Sequence, residues 1–145
     1  MELPSKTLLA LLKADWTLTD EGIKVADIAW MRTDWHLEKS TFSPHIICRP
    51  LSARRLQAEE PNLYEFRLAV QVVLWAKSID TQEAKEEDHW KMVEHVKKLI
   101  EAGTCPTGWQ YMYVENFANP SILEVLPNIF IYNLTVVACI SWSGI

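Results

Sequence analysis

Asp34, His36 and Glu38 are the residues best placed by type and spacing to do chemistry. At alternating positions they would share one face of an extended segment, where two carboxylates and an imidazole could relay a proton or hold a metal ion. The other histidines offer less. His89 and His95 fall on one predicted helix, but six residues apart they lie about 120° from each other around its axis, unlike the i, i+4 pair of a helical zinc site. Glu86, Glu87 and Asp88 beside His89 are what the positive end of a helix dipole already favours. His45, next to Pro44, has no evident partner. Cys48, Cys105 and Cys139 are odd in number and form no CxxC pair, so neither a disulfide framework nor a zinc site is indicated and all three are expected as buried free thiols.

The usual signatures of catalysis are missing. There is no GxSxG and no HExxH, and the four glycines, Gly22, Gly103, Gly108 and Gly144, build neither common phosphate-cradling loop. No catalytic residue, metal or cofactor is assigned on this basis, and the chain reads as a non-enzyme. Asp34, His36 and Glu38 stay as weak acid-base or metal candidates.

Two other residue types stand out. Arg49, Arg54 and Arg55, with Lys39 nearby, are the basic concentration of the sequence, in a segment expected to be a loop between two strands. The plain account is a solvated loop. The functional one is a contact surface, because the planar guanidinium pairs carboxylates and stacks on aromatic rings; in a channel, the same loop would touch passing nucleic acid. Seven tryptophans are many for this length, and Trp16, Trp30 and Trp35 occupy the least regular segment. Core packing accounts for them most simply, with Trp30 and Trp35 the alternative anchors of a subunit contact.

Composition bounds what these residues can belong to. At 145 residues, with 49% hydrophobic and 23% charged residues, the chain is expected to be a single globular domain, 1–145, rather than a disordered tail or a rod. The net charge of -5 argues against a protein whose main task is gripping phosphate backbone. The apolar run Leu8 to Leu12, with Glu2 before it, does not make a secretory signal, and Ile129 to Trp142 is shorter than the roughly 20 residues of a membrane helix. A cytosolic chain with no membrane partner is expected. Asn133-Leu134-Thr135 spells a glycosylation acceptor inside a strand pattern and is set aside.

The elements that would position these side chains follow from periodicity. Ser5 to Ala14 reads as a short helix with Pro4 at its first turn. Trp16 to Asp34 fits either a strand or an irregular arm. His45 to Arg49, between Pro44 and Pro50, reads as a short edge strand. Leu63 to Lys77 is the clearest strand, with Tyr64, Phe66, Leu68, Val70, Val72 and Leu74 at period two and a second face that begins polar and turns apolar. Asp80 to Ala102 reads as a long helix, stopped by Gly103, with Trp90, Val93, Val96, Leu99 and Ile100 inward. Trp109 to Phe117 and Asn128 to Trp142 complete the strands, with a turn at Asn119-Pro120. The class is therefore α+β, a mainly antiparallel sheet of long strands with one short N-terminal helix and one long helix packed on it. Strands of this length, apolar on both faces over part of their run, need cover from loops or from another subunit.

This order of elements resembles the small tail-completion and tail-terminator proteins of tailed bacteriophages and related archaeal viruses. The resemblance runs through the N-terminal helix, the segment Leu51 to Asn62, the strand Glu65-Phe66-Arg67-Leu68-Ala69-Val70-Gln71-Val72-Val73-Leu74-Trp75, the helix ending Val96-Lys97-Lys98-Leu99-Ile100, and the last strand after Leu126-Pro127. The segment Trp16 to Lys39 departs from the pattern, being longer and richer in tryptophan. The resemblance implies a viral structural protein, assembled in the host cytoplasm and carried in the virion, that closes the head-proximal end of a tail tube as a homo-oligomeric ring, commonly of about six copies. Its implied partners are its own copies, the tube and the connector. Arg49, Arg54, Arg55, Trp30 and Trp35 are then interface or lumen candidates. Two rivals come from other classes: a small α+β enzyme or ligand-binding domain with an aromatic pocket that uses Asp34, His36 or Glu38, and a cellular adaptor for a protein partner.

Overall fold

The structure, a computed structural model, describes residues 3–17, 23–24, 28–31, 44–57, 60–75, 82–102, 104–115, 122–123 and 129–141. Its elements in chain order are α1 (Pro4–Ala14), β1 (Ala29–Met31), β2 (His45–Gln57), β3 (Glu60–Trp75), α2 (Gln82–Ala102), β4 (Trp109–Val114), β5 (Ile122–Leu123) and β6 (Ile129–Ser141). The fold is α+β, with two helices and a mainly antiparallel sheet among the described residues.

The strand order is β1-β2-β3-β6-β4, with β5 pairing β6 on the side where β4 lies. Among the described strands only β1 runs parallel to its neighbour, matching Ala29 to His45 and Met31 to Ile47. Strands β3 and β6 form the centre, in unbroken register from Leu63↔Ser141 to Trp75↔Ile129. Their β-branched and aliphatic residues suit a pleated surface buried against a second layer.

That layer is helical. One side of the sheet contributes Phe66, Leu68, Val70, Val72 and Leu74 from β3 and Tyr132, Leu134, Val136, Ala138 and Ile140 from β6. Leu8, Leu9 and Leu12 of α1 and Met92, Val93, Val96 and Ile100 of α2 close over it. Leu8, Leu12, Val93 and Val96 are fully buried, as the i, i+3, i+4 spacing of each helix requires. Pro4 opens α1, where its missing N–H costs no helical bond. On the opposite side of the sheet Ile47, Val73 and Ile131 cluster near one end, and Val137 and Cys139 are buried toward the other.

Several expectations need correction. The strand through His45 does not stop at Pro50; β2 continues to Gln57 and forms a hairpin with β3, so Arg49, Arg54 and Arg55 stand on a strand and not in a loop. Pro50 is tolerated because β1 flanks β2 only as far as Ile47, and because the register slips by one residue between Pro50 and Ser52. That bulge lets the strand pass a residue with no N–H to donate. Strand β3 also begins at Glu60, three residues before the start expected at Leu63. Cys105 is half-buried, whereas Cys48 and Cys139 are buried as expected.

Burial pushes the Cys48 thiol up to about 12, which leaves it protonated and unreactive. Iodoacetamide at pH 8 is therefore expected to modify Cys105 first in the folded protein, and Cys48 and Cys139 only after unfolding. Mass spectrometry of the alkylated peptides reads the order; early labelling of Cys48 would contradict the packing of β2.

Candidate functional site

The tryptophan-rich segment contributes to the core. Trp16 is buried, with its indole Nε1–H donating to the Ile23 carbonyl at 2.9 Å. The Trp30 ring meets it edge-on at 5.6 Å, and the His95 ring does so at 4.6 Å. His95 Nε2 accepts the Thr17 backbone N–H at 3.1 Å, which places the ring proton of the neutral form on Nδ1. Trp30, an anchor candidate from sequence, is thus half-buried against Trp16 at the edge of the core. Trp35, Asp34, His36 and Glu38 lie outside the described residues, as does Lys39.

The two helix histidines meet different parts of the chain, His95 the segment after α1 and His89 the strand β3. His89 is buried and its Nε2 lies 2.9 Å from the Val72 carbonyl, an acceptor only, so Nε2 carries the proton. Burial holds its imidazolium form below the ordinary histidine range. Both rings act as structural pins between α2 and its surroundings. Among the described residues no three His, Cys, Asp or Glu side chains could together hold a metal ion, and no helix is long and apolar enough to cross a membrane.

Among the described residues, the sheet leaves exposed most of the outer half of β2 and the outward side chains of β4. From Arg49 to Arg55 every residue of β2 is exposed, so the period of two is lost and both faces of this strand segment meet solvent. Leu51, the extra residue of the bulge, is 55% exposed. Beyond Ile47 no strand flanks β2 among the described residues, and none flanks the outer side of β4.

The far side carries rows of side chains set by the register. Arg54, Glu65, Cys139 and Tyr111 fall opposite one another on β2, β3, β6 and β4, and Ser52, Arg67, Val137 and Tyr113 form the next row. Glu65 accepts from Arg54 at 3.1 Å and from Arg67 at 2.9 Å, while Arg67 reaches Glu115 at 3.2 Å. Glu115, by hydrogen bond and then by charge, and Glu65 after it, hold the Arg67 guanidinium protonated above its already high range. The network lies flat on a wet surface, where each pair is worth little and salt weakens it.

Tyr111 and Tyr113 stack at 6.1 Å between ring centroids, 22° from parallel, and stay 41% and 43% exposed. A register shift between Trp109 and Tyr111 makes Gln110 an extra residue, so Trp109, Met112 and Val114 turn inward and both tyrosines turn out. Burial first, then the acidic groups of Cys139, Glu65 and Tyr113, push the Tyr111 phenol above its usual range. It remains a neutral donor at physiological pH.

The described surface therefore brings Arg54 together with Glu65, Arg67 and Glu115, and places Arg55 on the opposite face of the same strand beside Tyr64. Glu65, Arg67, Tyr111, Tyr113 and Glu115 were not singled out from sequence. The outward tyrosines had a faint signal in the alternation after Trp109, which the bulge at Gln110 shifts out of phase. No known family model matches the chain, and no curated protein resembles it closely enough to count as a relative.

Proposed function

We propose that this chain is a non-enzymatic structural protein of the tail-completion and tail-terminator kind, assembling as a homo-oligomeric ring that joins a viral tail tube to its connector. One observation supports the reading above the rest: the segment Arg49 to Arg55 of β2, here called the arm, is exposed on both faces and lies along one edge of a sheet whose two edges carry no covering strand there among the described residues. A strand segment that no helix of its own chain covers on either face offers its side chains, rather than its backbone, to a neighbouring copy. The 16-residue β3 and the 21-residue α2 give the subunit a stiff body from which an arm can reach a neighbour. Arginines that line a lumen would meet passing DNA there. The enzyme and ligand-binding rival rests on Asp34, His36 and Glu38, which lie outside the described residues.

Two measurements test the proposal. Negative-stain microscopy of the purified protein is expected to show rings with a central hole. Peptide mass spectrometry of purified particles of the encoding virus is expected to find the chain in complete virions. Complete tailed particles without the chain would overturn the assignment, and a cellular adaptor would give neither rings nor a virion component.

A further inference from the structure

We propose that the ring contact, on the reading above, is made by the β2 arm of one copy seated on the Tyr111–Tyr113 patch of the next. The two surfaces sit on opposite edges of one sheet, separated by β3 and β6. Three strand spacings of ~4.8 Å put Arg54 and Tyr111 of the same row about 14 Å apart, and Arg54 is already drawn to Glu65. The arm of a chain therefore cannot cover that chain's own tyrosines. A second copy can.

The chemistry of the two surfaces is complementary. From Arg49 to Gln57 the arm carries three arginines, no acid, and the exposed Leu51. The patch offers two stacked, half-exposed phenol rings with the exposed carboxylate of Glu115 beside them. Guanidinium groups lie favourably on aromatic faces and pair with carboxylates at their rim, and Leu51 would remove its apolar surface from water against the rings. Together with Leu3, these residues are the large hydrophobic side chains left exposed among those described.

The contact is made by side chains and not by adding a strand. Pro50 withholds an N–H from the edge, and the bulge at Leu51 and the second irregularity between Arg55 and Gln57 break the repeat that strand addition needs. Because arm and patch are different surfaces, the contact is head-to-tail, which closes into a ring when the rotation between copies permits.

Mixing two variants gives the sharpest test. Arg49→Glu/Arg54→Glu reverses the charge on the one face of the arm that carries both arginines, opposite Ala69 and Glu65, and leaves the patch; Tyr111→Ser/Tyr113→Ser disables the patch and leaves the arm. With wild type assembled, each variant alone is expected at the mass of one chain, 16.7 kDa, and their equimolar mixture at about twice that mass, since one arm meets one patch and nothing further can join. Circular dichroism and thermal melting show that each variant folds. Should either fail to fold, a Leu51→Cys/Tyr113→Cys chain with Cys105→Ser takes its place: oxidation is expected to yield a ladder of cross-linked copies and no intrachain bridge. Wild-type assembly that both variants leave unchanged, or oxidation without a ladder, would overturn this contact and leave the ring standing. A wild type that is monomeric at every concentration would overturn the ring reading and the contact with it.

Discussion

Leu134→Ala is expected to lower stability by about 3 kcal/mol and the melting temperature by about 10 °C. Leu134 is fully buried in the middle of β6, opposite Val70 on β3 and under the helical layer. Truncation removes apolar transfer energy and leaves a cavity that two hydrogen-bonded central strands cannot close by shifting. The neighbouring Asn133→Ala change is the control. Asn133 points to the far side, is exposed, and bonds only sideways to Gln71 at 3.1 Å, so its loss is expected to cost less than about 1 kcal/mol. Urea unfolding of both variants measures the contrast, and equal effects would contradict the two-sided account of the sheet.

Acid is expected to destabilise the protein through His89. Burial lowers the pKa of His89 in the folded chain relative to the ordinary value of 6.5. Below that value the unfolded chain binds a proton that the folded one excludes, so stability falls as pH drops, by up to about 1.4 kcal/mol per unit, until the folded pKa is reached. Above 6.5 this contribution is constant. His89→Gln keeps a donor for the Val72 carbonyl and removes the titration, so the difference in unfolding free energy between wild type and variant is expected to shrink steadily from pH 7 to pH 5. A difference independent of pH would show that His89 is not held neutral by its burial.

Much of the body was legible because burial writes a period into the sequence. The alternation from Tyr64 to Leu74 and its counterpart from Phe130 to Ile140 each mark the core face of a central strand, and the inward positions of α2 follow its helical spacing. The arm was not legible for the same reason. Arg49 to Arg55 is exposed on both faces, so no apolar period marks it as a strand, and Pro50 reads as a stop. What makes it a strand is pairing with β3, a long-range property that local composition does not carry.

The candidate surface was hidden in a different way. Arg54, Glu65, Arg67 and Glu115 come from different strands and meet only through the registers of β2 with β3 and of β4 with β6. Tyr111 and Tyr113 point outward only because Gln110 is bulged, which reverses the parity set by Trp109. Of the tryptophans in the irregular segment, Trp16 packs in the core, as its size favours, and Trp30 lies against it.

Assembly through exposed edges is the central claim, and the molar mass of the wild-type protein in solution tests it most directly. Light scattering behind size exclusion, across a hundredfold range of concentration, is expected to give a plateau at a fixed multiple of the 16.7 kDa chain, as a closed ring requires. A mass of 16.7 kDa at every concentration would contradict the account, and a mass that climbs without limit would replace the ring with an open filament.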